Sequence, residues 1–138
     1  HSVNSPAHNA WAGLAFEKLC LAHLPQIKQR LGISGVQTNA CSWLSKGTSP
    51  KAQIDLLIDR RDDTVNLCEM KSSRTEYEID SSEEQKLCRR IEVFQKETDT
   101  NKSIILTLVT TEGLKRNSHS DVVQSLVVVD DLFVPMFY

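Results

Sequence analysis

Ala52-Gln53-Ile54-Asp55-Leu56-Leu57-Ile58-Asp59, the polar link Arg60-Arg61-Asp62-Asp63, and Thr64-Val65-Asn66-Leu67-Cys68-Glu69-Met70-Lys71 form the stretch that decides the fold. Each flank is short, rich in β-branched or aliphatic residues and bounded by turn residues, the pattern of two adjacent antiparallel strands. Side chains alternate along a strand, so register decides which polar groups meet. With the odd loop 61–63, Leu57 stands opposite Leu67, Asp55 opposite Glu69 and Gln53 opposite Lys71, all on one face. A two-residue turn at Asp62-Asp63 sets Asp55 across from Met70 and breaks the cluster. The expected register is therefore the odd one.

Outward from the hairpin, Ser5-Pro6 is a helix start after an unstructured lead-in over residues 1–8. The pattern from Asn9 to about Leu31 is helical, with Trp11, Leu14, Ala15, Leu19 and Ala22 as its apolar stripe. Pro25 divides it in two, and Gly32 and Gly35 end it. Val36–Trp43 has strand character, and Lys46-Gly47-Thr48-Ser49-Pro50 is a loop. After the hairpin, 72–81 is polar and irregular. Residues 82–98 are helical through Leu87, Ile91 and Phe94. Ser103–Thr110 is a buried strand, 111–120 a loop and Gln124–Val129 another strand. Helix, three strands, helix, strand, strand is an α/β arrangement around a mixed central sheet flanked by helices.

The chain has 138 residues and a net charge of −2. It is one domain, residues 1–138, long enough for a core without staples. No apolar run reaches bilayer length, and neither a signal peptide nor a membrane partner is indicated. The four cysteines, Cys20, Cys41, Cys68 and Cys88, are widely spaced. They form no Cys-x-x-Cys pair and are expected as free thiols of a cytoplasmic protein, three of them among apolar residues. The histidines show no ligand spacing. The mild negative charge argues against tight non-specific nucleic-acid binding. Residues 1–54 nevertheless carry Lys18, Lys28, Arg30, Lys46 and Lys51 against Glu17 alone. The first residue is His1, so a fragment of a longer protein is expected.

Hard divalent cations prefer carboxylate, carbonyl and water oxygens. Asp55, Glu69 and the backbone carbonyl of Met70 offer such ligands for Mg²⁺ or Mn²⁺. A bound cation acidifies a water and offsets charge on a phosphate, and Lys71 beside it can orient that water or stabilise the oxyanion. A cross-strand charge cluster that only balances charge uses the same residue types. Glu17 adds weight to the chemical reading. It sits on a helix face with Leu14, Cys20, Leu21 and Leu24, where a carboxylate is costly without a partner. Lys46, Lys51 and Ser73 could touch phosphate, but loop connection and strand capping are the favoured explanations of these residues. Trp11 and Trp43 are expected in core or sheet-edge packing. The apolar tail Leu132-Phe133-Val134-Pro135-Met136-Phe137-Tyr138 packs on the core or supports self-association.

Asp55 followed by Glu69-x-Lys71 on consecutive strands, after an acid on the first helix, resembles the PD-(D/E)xK nuclease superfamily. Trp11-Ala12-Gly13-Leu14-Ala15-Phe16-Glu17, Gln53-Ile54-Asp55 through Arg60, Leu67-Cys68-Glu69-Met70-Lys71 and Asp130-Asp131-Leu132-Phe133 are similar to the C-terminal nuclease-like domain of a group of prokaryotic AAA-type ATPases. The resemblance covers nearly the whole chain. It implies a restriction-endonuclease-like αβββαβ core. Asp55 and Glu69 become metal ligands, Lys71 the catalytic lysine and Glu17 the accessory acid. Arg90 or Gln85 becomes a polar or basic residue on the second core helix facing the site. Ile54 stands where the superfamily's name has proline. The implied substrate is nucleic acid, DNA first. The implied partner is an upstream AAA-type ATPase domain that binds ATP, because this chain has no P-loop and no nucleotide site of its own. The alternative is a catalytically silent module of the same fold that binds nucleic acid or a protein partner.

Overall fold

The structure is a computed structural model, and it describes residues 5–47 and 51–137. The chain order is α1 (Pro6–Ala22), α2 (Leu24–Arg30), β1 (Thr38–Leu44), β2 (Gln53–Arg60), β3 (Thr64–Lys71), α3 (Ser81–Thr98), β4 (Ser103–Thr110) and β5 (Ser125–Val128). Two short 3₁₀ turns, Ser120–Val122 and Val129–Phe133, flank β5. The five strands lie in the sheet in sequence order. β1–β2 and β2–β3 are antiparallel, whereas β3–β4 and β4–β5 are parallel. A parallel neighbour needs a crossover rather than a tight turn, and α3 supplies it between β3 and β4. The fold is thus a mixed α/β sheet flanked by helices, in the expected element order.

The strand and helix boundaries follow local chemistry. Ser5 caps α1 by accepting from His8 N–H at 3.1 Å, with Pro6 at the first helical position. Helix α1 therefore begins inside the stretch 1–8 expected as an unstructured lead-in. Pro25 opens α2 rather than bending one long helix, because its missing N–H costs nothing in a first turn. Asp80 caps α3 through Glu83 N–H at 2.8 Å, and Asp99 ends it in the left-handed region at φ 51°. In the loop Lys46–Pro50, residues 48–50 lie outside the described residues.

Two apolar layers sandwich the sheet. Leu57, Leu67, Leu106 and Leu108 face Leu87 and Phe94 of α3, and Trp43 meets Phe94 edge to face at 5.3 Å between ring centres. Leu56, Ile58, Cys68, Val109 and Val127 form the other layer with Phe16 and Cys20 of α1, Ile27 of α2 and Leu132. β3 is consequently buried on both faces, as expected for a strand with a parallel neighbour.

Helix α1 corrects the sequence expectation. It buries Phe16 and Cys20, while Trp11 and Leu14 of the anticipated stripe are 67% and 52% exposed. The helix is apolar around most of its circumference, so periodicity alone does not select the face that meets the sheet. Trp11 is accordingly not a core residue. Cys41 is likewise exposed on the edge strand β1 and Cys88 half-buried, leaving Cys20 and Cys68 as the two buried thiols. The tail divides as well: Leu132 is fully buried and Phe133 and Phe137 are exposed. The Gln29 side chain brackets the tail, donating to Pro135 O at 3.0 Å and accepting from Phe137 N–H at 2.8 Å.

One polar chain crosses the sheet interior. Arg60 donates to Asn66 Oδ1 at 3.0 Å, and Asn66 Nδ2 donates to Thr107 Oγ1 at 2.9 Å. Asn66 and Thr107 are both buried, so an unpaired remnant is costly. Asn66→Ala is expected to destabilise the fold by about 1–3 kcal/mol. Urea denaturation measures this, and an unchanged midpoint would contradict it.

Candidate functional site

The β2–β3 ladder pairs Leu57 with Leu67 and Leu56 with Cys68. This is the odd register, and the pairing ends at Leu56–Cys68, just before Asp55 and Glu69. The expectation that Gln53, Asp55 and Leu57 share a face fails, and the neighbouring strand explains why. Cys41 pairs with Leu57 but Trp43 pairs with Ile54, so two steps along β1 match three along β2. The extra residue is a β-bulge at Asp55-Leu56. Leu56 and Ile58 face α1 and Leu57 faces α3 in regular alternation, but past the bulge Ile54 joins Leu57 in the α3-side layer and the Asp55 charge acts on Glu17 of α1.

The carboxylates divide accordingly. Asp55 is exposed, accepts from Gln53 Nε2 at 2.8 Å, and repels Glu17 of α1. Partial desolvation and, second, the Asp55 charge hold the Glu17 carboxyl above its usual range. Among the described residues, no basic side chain pairs with either acid. Glu69 instead points to the α3 side and accepts from Arg90 Nη1. Burial pushes its carboxyl up, and the attraction of Arg90 and Lys71 only partly offsets that.

Lys71, two residues on along β3, lies 3.6 Å from Glu83 Oε1 and 5.9 Å from the Tyr77 ring centre. Tyr77 Oη donates to that same Glu83 oxygen at 2.9 Å. Glu83 and Tyr77 were not anticipated from the sequence. Glu83 carried a readable signal, because it precedes Arg90 by seven residues, two turns along the same face of α3. Tyr77 carried none: it is held by backbone bonds to Gly113 and Lys115, far along the chain.

The remaining candidates separate from this cluster. Ser73 is absorbed in structure, its N–H donating to Thr111 Oγ1 at 2.9 Å and its hydroxyl to Thr75 O at 2.6 Å. Gln85 is exposed on α3, and Lys46 and Lys51 are exposed at the β1–β2 connection. The backbone N–H of Lys46 donates to Glu97 at 2.8 Å. The Met70 side chain packs toward the α1 layer. His119 pairs with Glu84 at 2.8 Å.

The donor set suits a hard cation in kind. Glu17 and Asp55 are mutually repelling carboxylates without a basic partner among the described residues, and Glu69 follows the last β2–β3 pair. The arrangement is not a closed cage: among the described residues, no three His, Cys, Asp or Glu side chains are grouped to hold a metal. Glu17, Asp55 and Glu69 therefore do not converge as the sequence reading required, because the bulge and Arg90 draw them to opposite faces.

No protein-family model matches the chain, and no curated protein matches it. It resembles the crystal structure of a protein of unknown function, AF1548, with a TM-score of 0.52 at 13% identity. The match covers 80% of this chain and 56% of that one, so the chain spans little more than half of that protein's length. The likeness is one of fold. No helix among the described residues is long and apolar enough to cross a membrane.

The Glu17–Asp55 repulsion has a sign that can be measured. A carboxyl raised in the folded state favours the fold below its unfolded value and loses that contribution as pH rises through its folded value. At neutral pH in EDTA, Glu17→Gln is expected to stabilise the protein slightly, by a few tenths of a kcal/mol after solvent screening. Urea midpoints should show the gain shrinking as pH is lowered toward the carboxylate range. A loss of stability at neutral pH would oppose this account.

Proposed function

We propose that this chain is a metal-dependent nuclease domain of the PD-(D/E)xK type, hydrolysing phosphodiester bonds in DNA. In this reading it is the C-terminal module of a cytoplasmic AAA-type ATPase. The observation that carries it is the end of β3, where Glu69-x-Lys71 follows the last β2–β3 pair, together with the repulsion between Asp55 and Glu17, which have no basic partner among the described residues. Asp55 and, from α1, Glu17 would hold Mg²⁺ or Mn²⁺ with the Met70 carbonyl as a further oxygen, and Glu69 would join them only on leaving Arg90. When bound, the cation supplies an acidified water and charge neutralisation at phosphorus.

The chain's own residues do the rest. Lys71 presents an ammonium to the developing phosphorane charge and orients the attacking water. Lys46 and Lys51, exposed ahead of β2, would meet the phosphate backbone.

With Mg²⁺ or Mn²⁺ present, the protein should cleave plasmid or single-stranded DNA, and EDTA should abolish cleavage. Lys71→Ala should lower the rate about 100-fold or more. Cleavage indifferent to EDTA or to Lys71→Ala would overturn the reading.

One observation favours a second reading. Glu69 and Lys71 are both already engaged by α3, as in a silent module of the same fold that binds nucleic acid or its own ATPase. DNA binding without cleavage under any divalent cation would favour it.

A further inference from the structure

The end of β3 presents a negative and then a positive side chain, Glu69 and Lys71. Helix α3 presents the same sequence of signs, Glu83 and Arg90, on one face. They pair crosswise: Arg90 with Glu69, and Glu83 with Lys71. Tyr77 adds a third hold, donating to Glu83 while its ring lies beneath the Lys71 ammonium. Glu69 is 9% exposed and Arg90 half-buried, so this is a sheltered clasp rather than a surface pair. A carboxylate removed from water needs a cation or hydrogen-bond donors, and Arg90 meets that need.

We infer that Arg90 is a resident stand-in for the divalent cation at Glu69, and that it becomes a phosphate-binding residue when Glu69 is engaged elsewhere. This rests on the nuclease reading above and concerns the regulation of that same site. A divalent cation on Glu69 and the Arg90 guanidinium repel one another across the same sheltered carboxylate. Whatever engages Glu69 weakens its bond to Arg90, and the reverse holds equally by linkage. A guanidinium loosened from Glu69 remains on α3 beside the site, and its planar fork suits a phosphate. Cation uptake and substrate binding are then coupled: the ligand that takes Glu69 releases the group that grips the nucleic acid.

The test separates two readouts, neither of which is cleavage. The first is calorimetric titration with Mn²⁺ alone, without DNA. Arg90→Ala, and Arg90→Met, which keeps the apolar stem, should bind Mn²⁺ about ten-fold more tightly than the unaltered protein, the worth of one charge-assisted hydrogen bond removed from Glu69. The second is fluorescence anisotropy of a short labelled DNA duplex in EDTA. Glu69→Gln should bind the duplex several-fold more tightly than Glu92→Gln, which makes the same charge change at an exposed position of α3. Adding Arg90→Ala to Glu69→Gln should remove that gain.

Circular dichroism establishes that each variant is folded. Equal or weaker Mn²⁺ binding by both Arg90 variants overturns the inference and leaves the nuclease reading standing. So does equal duplex binding by Glu69→Gln and Glu92→Gln. Failure of every protein to take up Mn²⁺ overturns the inference together with the metal-dependent reading.

Discussion

β3 is the strand on which the rest of the molecule depends. It is paired on both edges, antiparallel to β2 and parallel to β4 over eight residues, and covered on both faces. Its parallel partner obliges the chain to cross over the sheet, and the crossover is α3. The same obligation that buries Leu67 against Leu87 therefore suspends α3 above the end of the strand, where Glu69 and Lys71 emerge. Charge on the strand meets charge on the helix because the topology leaves α3 no other place to lie. The apolar packing sets the distance, and the ion pairs refine it.

The opposite face shows the complementary effect. There the governing feature is a single surplus residue in β2. Without it, Asp55 would share a face with Glu69. With it, Asp55 acts on Glu17, and the two like charges have no basic partner among the described residues. Like charges so placed oppose folding, and bulges of this kind re-aim side chains at functional sites. The two faces of the sheet thus treat their carboxylates differently: Asp55 and Glu17 repel one another, whereas Glu69 is paired with Arg90.

How much of this was legible in the sequence depended on the range of the interaction. Strand β4 appears at Ser103–Thr110 as read, and β3 at Thr64–Lys71, because continuous aliphatic runs bounded by turn residues identify themselves locally. The hairpin register matches the one that the functional cluster called for, although the link itself allowed either turn. The bulge was not, since it exists only in the pairing of β2 with β1, and nothing between Gln53 and Arg60 marks it. The buried face of α1 was hidden by excess: Trp11, Leu14 and Leu21 are as apolar as Phe16 and Cys20, and only the sheet's position chooses among them. Arg90 was anticipated as a residue facing the site, but its partner was not. Tyr77 reaches Lys71 through a loop anchored to Gly113 and Lys115, a contact with no local trace.

The edge strand carries a consequence for the protein's colloidal behaviour. β1 runs from Thr38 to Leu44 at the border of the sheet with no charged residue and no proline, and it exposes Leu44 and the Cys41 thiol. Proteins usually blunt such borders with lysine, proline or a bulge, and here the bulge lies on the inner neighbour instead. At high concentration this border is a better template for chain-to-chain pairing than the apolar tail, part of which Gln29 holds down. Antiparallel association centred on Cys41 would bring two thiols together, so that oxidation could lock a transient encounter into a covalent one.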